Sequence, residues 1–400
     1  MTRLLVAALL IGGVTISGPL QAGSQEQAKR LHDRLAGVPP TPATLATMAT
    51  AIDGGDAIGA AYTAMESEHF YNVTLKLFAA PWTNRDQSVF VPFNDYIATV
   101  IGMIRDDIDF RQVLQGDILY TGDGSLGLPA YSVSNNAHYE AMEAADVNLK
   151  TGLVQSTQSS VTGLPAEATA GVMTTRGAAK SFFIAGTNRA MFRFTLMNHM
   201  CRDLEQVHDT SRMPDRIRQD VTRSPGGDSR VFMNNCVGCH NGMDPLAQAF
   251  AYYNYEYDAD ADPTGENGRL IYNSSGQLDP DTGSRVVKKY RINANNFIYG
   301  YVTENDDWDN YWREGTNALL GWDNSLPGSG RGAKTMGQEL AHSEAFAQCQ
   351  VEKVFENVCL RPPVDGADRA QVTSMVNSFK ASGYKMKQVF AESAVYCMGE

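Results

Sequence analysis

The chain is 400 residues long with 43% hydrophobic side chains, enough to bury a substantial core in one large domain or a few ordinary ones. Its formal charge of -12, with no cluster or stripe of Lys and Arg, lacks the footprint of a nucleic-acid binder and disfavours adhesion to an anionic membrane.

Residues 1–22 place Arg3 ahead of an apolar run from Leu4 to about Ile16, followed by Gly18-Pro19 and a small-residue end at Ala22. This is the layout of a secretory signal peptide, and the run is shorter than the ~20 residues that cross a bilayer. Export to the periplasm or beyond, without a membrane span, is the expectation. Residues 23–120 then read as an N-terminal helical domain. "SQEQAKRLHDRLAG" is a helix closed by Gly37; the next has Thr41 as N-cap, Pro42 at its first position and Gly54-Gly55 as its stop. A further helix is expected from Ala57 to His69. Two more are separated by Asp106, Asp107 and Asp109, with Phe110, Val113 and Leu114 on the inward face of the second.

Residues 121–180 form an irregular connecting region rich in Gly, Ser, Asn and Thr, with one helix around Ala137 to Leu149. Residues 181–335 open on a buried helix in "NRAMFRFTLMNHMCRDLEQV" and carry the motif discussed below. A hairpin with its reversal near Glu266-Asn267-Gly268 follows, then a short strand or extended segment at "SRVVKKYRIN". Residues 336–400 return to helices as a C-terminal domain. The fold class is therefore mainly α with a small β-hairpin region.

The segment with chemistry is "VFMNNCVGCHNGMDPLAQAF", residues 231–250. Two thioether bonds to a haem need thiols about one helical turn apart, and a histidine directly after the second falls under the iron as proximal ligand. Cys236, Cys239 and His240 have this spacing, and c-type haem is attached on the exported side of the membrane. A zinc site needs four ligands, and no second pair stands at a suitable spacing. A thioredoxin-like dithiol needs a preceding strand, which "SPGGDSRVFMNN" does not offer.

The sixth iron ligand is less local. Met243 and Met233 lie too close to His240 in the chain to reach the opposite face of the ring. His199 and Met336 are the candidate distal ligands, with Met197 and Met200 beside His199 and an open or water-bound position as alternatives. Asp258, Asp260 and Asp262 are spaced like calcium ligands, but Pro263 and Arg269 stand where that loop needs Gly and Glu, so a solvated acidic turn is expected.

Of six cysteines, Cys201, Cys349, Cys359 and Cys397 remain, an even number that allows two disulfides in three pairings. Cys349 and Cys359 lie on one expected helix roughly 15 Å apart, too far to pair with each other.

Taken in order, "RLAGVPPTPATLATMATAI", "DIDFRQVLQGDILY", "CVGCHNGMDPLAQAFAYYNYEYD" with "ENGRLIYNSSGQL", and "ELAHSEAFAQCQVEKVF" resemble segments of the planctomycete-type cytochrome c proteins, large exported bacterial proteins. There the haem motif is followed by Asp-Pro and an aromatic-rich turn, matched here by Asp244-Pro245 and the tyrosines from Tyr252 to Tyr257. The resemblance implies a helical protein with one covalent haem c, carried by Cys236, Cys239 and His240, and a redox role. The chain departs from that pattern in being shorter, in lacking a second haem motif, and in having His199 and Met200 where the family has aliphatic residues.

Three functions stay in view. The first is an exported monohaem c-type cytochrome passing single electrons to a partner protein or within a redox complex. The others are a haem-dependent peroxidase or oxygenase with an open distal site, and a non-redox exported binding protein.

Overall fold

The computed structural model describes residues 22–399; the expected signal peptide, but for Ala22, lies outside them. These residues are mainly helical, with three small antiparallel two-stranded sheets among them. Local chemistry marks the first helices. Ser24–Ala36 ends at Gly37, which takes the left-handed conformation (φ 73°) that a side chain disfavours. Pro42–Asp53 starts where the Thr41 hydroxyl accepts the Thr44 amide at 3.1 Å. The third helix, Ala57–Met65, is shorter than expected, and the chain resumes as a π-helical stretch, Phe70–Leu75. Asp95–Arg105 is buried on every face except its last residue, so it is a core helix. The pattern after it condenses to a single turn, Gln112–Gln115, although Phe110, Val113 and Leu114 are all fully buried.

The sheets pair Leu119–Gly122 with Leu153–Ser156, Tyr253–Glu256 with Arg269–Tyr272, and Asp307–Asp309 with Ser329–Arg331. The second is the expected hairpin, with Tyr253 opposite Tyr272 and Glu256 opposite Arg269. The segment expected to be a further strand is instead a 3-10 turn, Lys288–Arg291. Val286, Val287 and Tyr290 there form a small separate core with Ala251 and Tyr252, which needs no sheet partner.

At the C-terminal end, the Ser343 hydroxyl accepts the Phe346 amide and splits one helical pattern into Gly332–Ala341 and Glu344–Cys359. Gly366–Ala381 and Met386–Cys397 follow. One dominant core cluster runs from Ala28 to Ala394 and includes the Phe70, Phe78 and Phe390 rings in edge contacts. The first helix packs against both Glu344–Cys359 and Met386–Cys397, so the two ends of the chain share that core. Disulfides join Cys201 to Cys349 and Cys359 to Cys397, with Cα separations of 5.3 and 5.5 Å. Cys349 and Cys359, on one helix, are thus each tied to another element rather than to each other.

Candidate functional site

Cys236 is the joint between two helices, Ser229–Asn235 and Val237–Ala247. The first is opened by Asp228, whose carboxylate accepts the Arg230 amide at 2.9 Å, and it ends where the Cys236 amide donates to the Phe232 carbonyl at 2.9 Å. The second begins at once, with the His240 amide donating to the Cys236 carbonyl at 3.2 Å. Cys239 and His240 therefore occupy its first turn. Both cysteines are half-buried and unpaired, whereas the other four are in disulfides.

The Cys239 thiol donates to the Leu204 carbonyl at 3.4 Å. Burial, then the charges of Glu205 and Asp203, push its pKa up, which keeps it a neutral thiol rather than a nucleophilic thiolate. Two glycines allow rings to close directly on this helix. A Cβ at Gly238 would lie 2.2 Å from the His208 ring, and one at Gly242 would lie 2.0 Å from the Trp312 indole nitrogen. On the preceding helix Val231 and Met233 leave apolar surface exposed beside the motif, and the Phe232 ring centre lies 6.3 Å from that of His240.

His240 is held from behind. Its Nδ1 lies 3.1 Å from Oδ2 of Asp244, one turn further along the same helix. Asp244 is in turn gripped by Arg189, whose Nε donates to Oδ1 at 2.6 Å and Nη2 to Oδ2 at 2.9 Å. Arg189 begins the Arg189–Met200 helix, which packs against the motif helix, and its other edge pairs with Asp220. Burial by itself would raise the Asp244 pKa; the Arg189 charge and the His240 hydrogen bond outweigh it and hold the carboxyl well below the usual range. An ionised carboxylate only accepts, so the proton between the two residues sits on His240 Nδ1. His240 Nε2, on a side chain 22% exposed, has no hydrogen-bond partner among the described residues.

The two candidate distal ligands have contacts of their own. His199 is buried with its Nε2 2.8 Å from the Tyr96 hydroxyl and its ring edge-on to Trp82. Burial, with the nearby Lys353 charge, drives its pKa well down, so it is neutral. Met336 is fully buried in the dominant core, on a helix that packs against the Gln112–Gln115 turn. Met200 is buried in the same core, Met243 is buried in the motif helix, and Met233 takes a 3.7 Å contact from the Arg223 guanidinium. The structure thus brings Cys236, Cys239 and His240 together and keeps His199 and Met336 in contacts of their own. Asp258 accepts the Asp260 and Ala261 amides within an exposed turn.

Arg189 and Asp220 carry no mark in the sequence, and the pairing role of Asp244 shows only as an i, i+4 spacing from His240. Among the described residues no group of three or more His, Cys, Asp or Glu is gathered as ligands of a metal ion. No helix there is long and apolar enough to cross a membrane. The donor set fits a covalent haem: two free thiols a turn apart, beside an imidazole with Nδ1 engaged and Nε2 available. Comparison with protein-family models, with curated proteins and with solved structures returns no match.

Proposed function

We propose that the chain is an exported monohaem c-type cytochrome that passes single electrons to a partner protein or within a redox complex. The observation that carries this reading is the pair of free thiols just ahead of an imidazole whose Nδ1 is already committed to Asp244. Cys236 and Cys239 would hold the haem as thioethers and His240 would ligate its iron; the haem supplies a one-electron couple when bound. What the chain does is hold the imidazole in one tautomer and set the Phe232 ring and the exposed Val231 and Met233 side chains beside the motif. Two disulfides elsewhere support an oxidising, exported setting. A zinc reading is less well supported, because among the described residues no group of three or more His, Cys, Asp or Glu is gathered to hold a metal ion.

The test is a denaturing gel of the protein produced with a periplasmic haem-attachment system. A haem-stained band is expected, lost in a Cys236→Ser, Cys239→Ser double variant because thioethers survive denaturation. An unstained wild-type band whose two thiols both alkylate would sink the reading. The engagement of His199 with Tyr96 and of Met336 with the core favours a second reading, a haem peroxidase or oxygenase with an open sixth position. Ready binding of CO by the ferrous protein supports it; a six-coordinate spectrum indifferent to CO, cyanide and peroxide removes it.

A further inference from the structure

We infer that Asp244 is the positioning residue of this site and that Arg189 limits how strongly it acts on His240. The inference rests on the haem reading above and assigns to two residues the control of the proximal ligand. A ligating imidazole whose Nδ1–H faces a carboxylate is turned to a fixed angle and becomes a stronger electron donor, which favours ferric iron. Asp244 is placed for both effects. It is 2% exposed, it sits one turn from His240, and its Oδ2 is 3.1 Å from Nδ1. Its carboxylate cannot rotate away, because Arg189 holds both oxygens at 2.6 and 2.9 Å.

The same fork has an opposing consequence. Oδ2 accepts from Arg189 Nη2 as well as from His240, so part of its negative charge is spent on the guanidinium. Arg189 is itself divided, since its outer edge pairs with Asp220 through Nη1 and, at 3.1 Å, through Nη2, and donates to the Thr187 hydroxyl at 2.9 Å. Arg218 Nε lies 3.6 Å from Asp220 Oδ1, the same oxygen that accepts from Arg189 Nη2. Asp244 thus supplies both position and donor strength, and Arg189 fixes the first while restraining the second.

Three variants of the full chain separate the roles. Asp244→Asn keeps an acceptor oxygen of the same shape and removes the charge. Haem attachment and axial ligation are expected to persist, while the ferrous-to-ferric ratio at a fixed potential rises at least tenfold, a midpoint shift of about 59 mV for one electron. Asp244→Ala removes the acceptor as well, and the ferric spectrum is expected to split into mixed spin states as the ring loses its fixed angle. Arg189→Gln frees the carboxylate and is expected to lower the midpoint, opposite in sign to Asp244→Asn. If Arg189→Gln does not accumulate, Arg189→Lys keeps a charge without the fork and should move the midpoint the same way by less. Loss of packing alone would not give opposite signs. Haem-loaded Asp244→Asn and arginine variants with midpoints unmoved, or moved in one direction, would overturn the inference. A wild type that does not stain for haem fails the functional reading instead. Nitrogen-15 NMR of that protein then reads the pairing directly: a proton on Nδ1 of His240 upholds it, and a proton on Nε2 alone overturns it.

Discussion

The Lys353 Nζ lies 4.6 Å from the centre of the Trp82 ring, which also meets the His199 ring edge-on. Burial, only partly offset by Glu356, lowers its pKa to about 7. The sign of the consequence is fixed. Between about pH 7 and the ordinary lysine value of 10.5 the unfolded chain binds more protons than the folded one, so this group's contribution makes stability rise with pH across that window. Below pH 7 the penalty for the buried charge is fully present. Lys353→Met keeps the apolar stem and removes that penalty. It is expected to raise the melting temperature by about 2 °C at pH 6, with a smaller gain at pH 10. An equal gain at both values, or a loss at pH 6, would refute the assignment. At this scale two sets of residues differ in how much the sequence says of their surroundings. Cys236, Cys239 and His240 are legible because their chemistry is encoded in adjacent positions. His199 and Met336 are singled out by type and order, while the contacts they make, with Tyr96 and with the central core, involve distant parts of the chain and leave no local signal.

The helix Val237–Ala247 shows how an element's sequence can contradict local propensity for a tertiary reason. A glycine in a helix interior costs roughly 1 kcal/mol against alanine, so Gly242→Ala in an isolated helix would stabilise it. Here the added methyl would lie 2.0 Å from the indole nitrogen of Trp312, a side chain 2% exposed and packed against Phe192. Trp312 cannot swing outward, and the clash outweighs the propensity gain. Gly242→Ala is expected to destabilise the protein by about 1–3 kcal/mol, read from denaturant unfolding followed by tryptophan fluorescence. A variant as stable as the parent would show that the indole can shift. Element boundaries were legible where a recognised cap residue stood at the end, as at Gly37 and Thr41. They were not where tertiary packing decided. Val286 and Val287 have strand-like composition yet pack into a small core as extended chain leading to a 3-10 turn.

Across the whole molecule, periodicity predicts that helices form at both ends of the chain, but it carries no information about which helices meet. The observed answer is that residues 24–36 and 386–397 lie together, with the Phe390 ring centre 5.2 Å from Phe70 and 5.4 Å from Phe78. The stretches expected as separate N-terminal and C-terminal domains thus contribute to one cluster, and Cys359–Cys397 ties the last helix to the one before the final pair. Shared burial has a thermodynamic consequence: neither end can unfold without exposing the other's apolar face. Phe390 is fully buried, so Phe390→Ala removes ring contacts from both ends at once and is expected to cost about 3–5 kcal/mol. If the core is one cooperative unit, that loss lowers a single transition, with helix content and tryptophan emission moving together. Two separated transitions, with only the late one shifted by Phe390→Ala, would mean that the ends fold independently despite their contact. Disulfides kept oxidised throughout leave the side-chain packing as the quantity being measured.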